Sequence, residues 1–388
     1  MLNRRVAHAQ TIRRVLLLLP GAFGVIGGIQ MYNRLLIKAF SELTEERGGR
    51  CDVLILNDPP GSFEQRYATT ATTSRSFAGS RIRFVVSAIA TARSSRPDLI
   101  VLGHVHLASL ALALRFVTPG TLQWFITYGI DVWKRLRPHF RYALGKADKI
   151  LSISDYTRRE LISRNELSAE NCEVLPCALD PFWVESYGAQ ARAARFPDHP
   201  VLLSCARLDV ADRYKGIDTV IRALPRIVAA HPELQYLVIG EGNDRSYLER
   251  VASESGVSEH VRFSGRVSQS ELARAYSECS LFIMPSRKEG FGIVFLEAAF
   301  FGKPSVAGNH GGSPEVVDDH VGWCVEYGDV ERLAATVLEA LERSAVLRTK
   351  GMAARQRLHE DFTWEAFVSR LRALVGNAGE GRISAAAM

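Results

Sequence analysis

The chain is predicted to be an α/β protein made of two doubly wound, Rossmann-like domains with parallel sheets. Three observations lead there. Short apolar strand-like runs alternate with helix-like runs, the alternation breaks and restarts near residue 200, and glycine-rich turns follow several of the strand-like runs. With 388 residues, 47% of them apolar, there is enough chain to bury two ordinary cores.

In the first domain, residues 1–175, strands are expected at 15–19, 51–56, 99–103, 122–127, 149–153 and 172–175. Helices are expected between them near 29–47, 81–96, 106–117, 134–146 and 154–164. The opening Arg4, Arg5, Arg13 and Arg14 followed by Val15–Leu19 has the look of a secretory leader. Its apolar run is only five residues long and ends at Pro20, which fits a buried first strand better. Residues 176–199 hold prolines and little periodicity and read as a linker. The second domain, 200–362, repeats the pattern. Strands are expected at 201–206, 235–239, 261–264, 281–284, 304–307 and 322–325, with helices near 216–230, 244–255, 269–277, 293–301 and 329–343. A ligand is expected at the carboxyl ends of these strands. A last helix over 363–377 follows Trp364, and 378–388 reads as a disordered tail.

Charge is uneven along the chain. Residues 1–175 carry 24 Lys/Arg against 14 Asp/Glu, whereas the remainder carries 24 against 28. Two basic clusters stand out among apolar and aromatic neighbours: Arg81, Arg83, Arg93 and Arg96, then Lys134, Arg135, Arg137, Arg141, Lys146 and Lys149. Such faces suit an anionic membrane surface, and equally an ordinary solvated helix face. No nucleic-acid motif accompanies the charge. The six cysteines are dispersed with no C-x-x-C pair, as in reduced, cytoplasmic proteins.

The most informative segment is Ser286–Glu297. Glu289 and Glu297 lie eight positions apart across a glycine turn (Gly290, Gly292) that opens a helix at Ile293. Exposed amides at Phe291, Gly292 and Ile293 and the helix dipole attract anions, while the flanking carboxylates accept hydrogen bonds from hydroxyls. A hydroxyl-rich, phosphate-bearing ligand needs both. Each glutamate alone is equally readable as an ordinary helix charge. Upstream, Arg207 and Lys215 follow a predicted strand and lead into a helix, with Arg213 a lesser candidate. Fixed cations there stabilise a leaving diphosphate as its charge develops. Near the start, Gly21, Gly24, Gly27 and Gly28 make a glycine turn that does not match G-x-G-x-x-G, so a dinucleotide site is a weak reading. No Asp-x-Asp pair is present to hold a divalent ion on a diphosphate, and no phosphate-binding G-x-x-x-x-G-K-[ST] occurs. Neither metal nor cofactor is therefore expected.

Glu289-x7-Glu297, Phe301-Gly-Lys-Pro304 and Gly311-Gly312-Ser-Pro-Glu315 together resemble the donor-site signature of retaining glycosyltransferases of family 4. The resemblance runs in order from about Leu202 to Phe367, with weaker support back to Val15. It implies the GT-B fold, two Rossmann-like domains facing a cleft, with the last helix returning to the first domain. It also implies a nucleoside-diphosphate sugar as donor, GDP-mannose or a UDP-sugar. By resemblance Arg207 and Lys215 contact phosphate, Glu289 faces the transferred sugar, and Glu297 bonds the ribose. The amides at 291–293 then touch sugar or phosphate, Arg266 and Val267 lie near the base, and the loop with Gly27 and Gly28 approaches the pyrophosphate. One departure concerns the segment Phe125–Asp131. Many relatives carry a histidine near the sugar where this chain has Tyr128, and Tyr128, His104 or His106 is the candidate to stand in, with Asp131 beside it.

The expected activity is transfer of a hexose from that donor to an acceptor hydroxyl by same-face attack. A lipid-linked saccharide in envelope or polysaccharide synthesis is the expected acceptor, at the inner face of the plasma membrane. A nucleotide-sugar isomerase or epimerase of the same fold, or a non-catalytic nucleotide-binding subunit, are the alternatives. The first would convert donor without acceptor and the second would turn nothing over.

Overall fold

The computed structural model describes residues 12–385, so Arg4, Arg5 and the last three residues of the expected tail lie outside it. The chain divides into two compact units. One comprises the chain up to Ala178 together with the stretch from Trp364 onward, and the other is Leu179–Thr363.

In the first unit, β1 (Arg14–Leu19), β2 (Arg50–Ile55), β3 (Thr72–Ser76), β4 (Leu99–Leu102), β5 (Leu122–Thr127), β6 (Lys149–Ser152) and β7 (Cys172–Val174) pair in parallel. Their order is β3-β2-β1-β4-β5-β6-β7. The central strands read as unbroken apolar runs because helices cover both faces, and Val15–Leu19 are all buried. Strand β3, Thr-Thr-Ser-Arg-Ser, has no apolar alternation and was not expected. It is an exposed edge held by its ladder to β2, with the Thr73 hydroxyl donating to Asp52 at 2.5 Å.

In the second unit, β8 (Val201–Cys205), β9 (Gln235–Ile239), β10 (Val261–Gly265), β11 (Leu281–Met284), β12 (Ser305–Gly308) and β13 (Gly322–Val325) form a parallel sheet in the order β10-β9-β8-β11-β12-β13. In each sheet the winding reverses beside the first strand: between β1 and β4, and between β8 and β11. Loops leaving those strands frame the crevice where open α/β sheets bind ligands.

Two expectations need correction. The stretch read as a linker contains the helix Pro181–Ala193. Pro181 stands at its first position, where proline fits without losing a bond, and the Asp180 carboxylate accepts the Phe182 amide at 2.9 Å. Only a narrow stripe, Trp183 and Ala191, is buried, so its periodicity is weak. The stretch read as a disordered tail continues the last helix, Trp364–Ala385, to within three residues of the end. Its glycines weaken a helix by about 1 kcal/mol each without blocking it, and no proline interrupts it. Phe367 of this helix meets Tyr32 edge-on at 5.8 Å, and Lys38 lies 5.2 Å over Trp364.

All six cysteines are free, and burial raises the Cys51, Cys205 and Cys279 thiols far from ionisation at neutral pH. Among the described residues no helix is long and apolar enough to cross a membrane.

Candidate functional site

In the second unit, the residues singled out from sequence leave the strands on either side of the reversal. After β8 the chain passes Arg207 and makes a short 3-10 turn, Val210–Lys215. It then bends at Gly216, whose φ of +77° and distance of 2.8 Å from a built Cβ to the Pro285 carbonyl oxygen admit only glycine without strain. After β11, the Arg287 amide donates to the Tyr214 carbonyl at 2.8 Å and joins the two loops. Lys215 Nζ thereby meets Glu289 Oε2 at 3.4 Å, with each side chain about four-fifths buried (19% and 18% exposed). The Glu289 carbonyl accepts the Gly312 amide at 2.7 Å, so the Gly311-Gly312 turn holds this loop from the far side.

Phe291 is buried against Phe362, and Gly292 turns into the helix Ile293–Phe300 with φ +96°. A Cβ at Gly292 would lie 2.4 Å from the Phe295 ring. Glu297, on the second turn, is not a solvated helix charge. Only 5% of it is exposed, and its Oε2 accepts the Tyr276 hydroxyl at 2.7 Å. Burial raises its pKa to about 7, against the opposing pull of the Tyr276 bond and with a smaller push from Asp180.

Arg207 is the exposed cation of the group. Its side chain is 69% exposed and lies 3.0 Å from the buried Asp212. Arg213 is committed elsewhere: it forks onto Asp244 at 2.6 and 2.7 Å and stacks 4.0 Å over Tyr247. Arg266 and the half-buried Val267 follow the edge strand β10, two strands away from β8. Lys215 and Glu289 are thus brought together, Arg207 follows β8, Glu297 sits buried on the helix that follows β11, and Arg266 and Val267 follow the edge strand β10.

In the first unit the glycine turn follows β1. Asp58, 2% exposed, accepts the Ala22 amide at 3.0 Å and the Phe23 amide at 2.6 Å. The Asn33 side-chain amide donates to the Gly21 carbonyl at 2.7 Å, and Arg34 to that of Ala22 at 2.7 Å. Two amides of the turn are therefore already occupied by a carboxylate, and the outward part is Gly24–Gly28, with Val25 and Ile26 more than half exposed. A Cβ on Gly27 would sit 2.6 Å from Gln30 Oε1. The Tyr128 hydroxyl donates to Asn33 Oδ1 at 2.6 Å and is buried. It is turned into the protein, and its pKa is raised, first by burial. Asp131 follows on the same segment, with His104 Nε2 at 3.8 Å from its Oδ2.

Sequence reasoning missed Asp58 and Asn33, which hold the glycine turn, and Tyr276, which holds Glu297. Each is distant in sequence from its partner and part of no local motif. Among the described residues no three His, Cys, Asp or Glu side chains gather where a metal ion could sit.

Comparison with known proteins agrees with this architecture. The family model described as Glycosyltransferase Family 4 matches residues 26–182, and the model described as Glycosyl transferases group 1 matches 189–357. A GDP-mannose-dependent alpha-(1-6)-phosphatidylinositol monomannoside mannosyltransferase of Mycolicibacterium smegmatis is 33% identical over 272 residues, 66% of this chain and 70% of that one. A similarly named enzyme of Corynebacterium glutamicum, acting on the monoacylated form, is 33% identical over 261 residues, 63% of this chain and 67% of that one. The phosphatidyl-myo-inositol mannosyltransferase of Mycobacterium leprae is 27% identical over 92% of this chain and 95% of its own length. Among solved structures, Anabaena HepE in complex with UDP superposes with a TM-score of 0.74 at 19% identity, over 94% of this chain and 100% of that one. Sucrose-phosphate synthase of Thermosynechococcus elongatus does so with 0.72 at 21%, over 96% of this chain and 100% of that one. With the fold, the family models and these relatives in agreement, the chain belongs to glycosyltransferase family 4 and has the GT-B fold.

Proposed function

We propose that the protein transfers mannose from GDP-mannose, with retention of configuration, to a hydroxyl of a phosphatidylinositol-type glycolipid. The single observation that carries the site assignment is the Lys215–Glu289 pair at 3.4 Å, seated where the second sheet reverses its winding. The donor and acceptor classes are supported by the relatives that are named for them.

The chemistry follows from the charges. As the sugar–oxygen bond breaks, negative charge accumulates on the departing diphosphate. Lys215, Arg207 and the amides at 291–293 are fixed donors around that position and stabilise the charge more in the transition state than in the ground state. Glu289, released from Lys215 when phosphate takes the ammonium, accepts sugar hydroxyls and orients the ring. Glu297 accepts the ribose hydroxyls. The acceptor hydroxyl attacks from the face the diphosphate leaves, passing its proton to the leaving phosphate oxygen, so configuration is kept without a covalent enzyme intermediate.

Purified enzyme with GDP-mannose and vesicles containing phosphatidylinositol monomannoside should release GDP in step with a new α-linked mannolipid. GDP release without acceptor dependence, or none at all, contradicts this reading.

The membrane-facing element is best sought on helix Arg81–Ser95. It carries no acidic residue and presents Arg81, Arg83 and Arg93 beside Ile82 (80% exposed) and Val86 (60% exposed). The other basic cluster is partly neutralised, since Arg135 and Arg141 both pair with Glu166 at 3.1 and 2.6 Å. Each cation at an anionic surface contributes about 1 kcal/mol. Arg81→Glu with Arg83→Glu should therefore abolish co-sedimentation with phosphatidylinositol-containing vesicles at low salt. Undiminished sedimentation would remove this helix from the account.

A further inference from the structure

The Asp212 side chain is 6% exposed, yet the cation paired with it is 69% exposed: Arg207 Nη2 lies 3.0 Å from Asp212 Oδ2. An ionised carboxylate buried without a partner is costly, so one guanidinium nitrogen is kept on it. The contact engages Nη2, and Nε and Nη1 of Arg207 have no partner among the described residues. On its other side Asp212 meets the Tyr214 phenol, whose pKa is raised first by burial and then by the neighbouring Asp212 charge.

The turn that carries Asp212 is fixed without that carboxylate. The Leu208 amide donates to the Glu241 carbonyl at 3.0 Å, and the Asp244 amide to that of Leu208 at 2.7 Å. The Val210 amide donates to Asn243 Oδ1 at 2.9 Å, and the Asn243 amide to Asp209 Oδ1 at 3.2 Å. Arg213 closes the same seam by its fork onto Asp244. The approach is so close that a Cβ on Gly242 would overlap the Leu208 carbonyl. The loops after β8 and β9 are therefore one piece before the Asp212 side chain is counted. What that side chain adds is a hold on Arg207 and on Tyr214, and Tyr214 in turn backs Lys215, whose Nζ lies 5.9 Å from its ring centre.

We propose that Asp212 is a positioning residue for phosphate recognition: it pins Arg207 by one edge of the guanidinium, so that the other edge meets the anion already ordered. The proposal rests on the reading of Arg207 as a phosphate contact. A long exposed arginine loses rotamer freedom whenever it is immobilised on a ligand. Held by Asp212, it has lost that freedom on folding and does not lose it again at each binding event. Asp212 itself touches no substrate, and no bond is made or broken by it.

Two arms test this on the full chain. In the first, 15N-arginine labelling, with the Arg207 Nε signal assigned from Arg207→Lys, should show the side chain ordered in wild type. In Asp212→Asn, which keeps the shape of the side chain without its charge, it should become as mobile as exposed arginines that lack a buried partner. Equal mobility of Arg207 in the two proteins would overturn the proposal. This arm needs neither donor nor turnover, so its failure is separate from failure of the transferase reading.

In the second arm, Asp212→Asn should lower kcat by about tenfold, as expected when a positioned group is loosened but kept. In the Arg207→Ala background the same substitution should change kcat by less than about twofold, because nothing is left to position. Asp212→Glu, which keeps the charge, should recover most of the loss. Equal losses in the two backgrounds would show that Asp212 only supports the turn, and would overturn the positioning role. A wild-type kcat in Arg207→Ala would overturn the phosphate contact and the catalytic half of the proposal with it, and the first arm would still decide whether Asp212 holds Arg207.

Discussion

Lys215→Ala is expected to lower kcat by about 10²–10³-fold, the usual cost of removing one preorganised donor from a developing oxyanion. The expectation rests on burial and placement. Lys215 is four-fifths covered, lies beside Glu289 and sits at the winding reversal, so its charge acts in a partly dry site and is weakly screened. Part of the loss will come through Glu289, which would lose the cation that neutralises it. Arg207→Ala should cost less, because that side chain is 69% exposed. The double variant should fall well short of the product of the two losses, since both are proposed to act on one leaving group. Steady-state kinetics alongside melting curves make the check. A kcat within threefold of wild type for Lys215→Ala, with an intact fold, contradicts the assignment.

Glu297→Gln should shift stability in a pH-dependent way. The folded-state pKa of about 7 lies above the usual 4.5, so below about pH 4.5 the carboxyl is protonated in both folded and unfolded chains and nothing is lost. As pH rises from there through 7, the unfolded chain ionises first, and the folded protein loses up to about 3 kcal/mol from this group. Glutamine does not titrate. The melting temperature of the variant relative to wild type should therefore rise between pH 5 and pH 8. Nucleotide affinity should fall in the same variant, because the amide replaces an acceptor proposed for the ribose. A pH-independent difference in melting temperature would show that the buried Glu297 is not held protonated.

Much of the fold was legible because the central strands are continuous apolar runs bounded by turn residues, as in Leu281–Met284 closed by Pro285. What escaped had no such pattern. Strand β3 is polar and owes its existence to a neighbour's ladder. The helix Pro181–Ala193 opens on a proline that looks like a breaker and is a first-turn residue. At the site, spacing put Glu289 and Glu297 on either side of Gly292, but could not place Lys215, 74 positions away, against Glu289. Nor could it show that Glu297 is buried on Tyr276, or that the Tyr128 hydroxyl turns inward to Asn33. Those are tertiary facts, fixed by loops meeting at strand ends.

The most direct measurement is the thermal stability of the purified protein against GDP, GDP-mannose, UDP, UDP-glucose, ADP and NAD, in wild type and in Glu297→Gln and Lys215→Ala. A ligand at a hundredfold excess over its Kd stabilises the native state by about 2.7 kcal/mol. Stabilisation by GDP and GDP-mannose, weakened in both variants, is the predicted result. Stabilisation by none of the sugar nucleotides, or an equal effect in wild type and variants, would contradict the donor site proposed at the ends of β8 and β11.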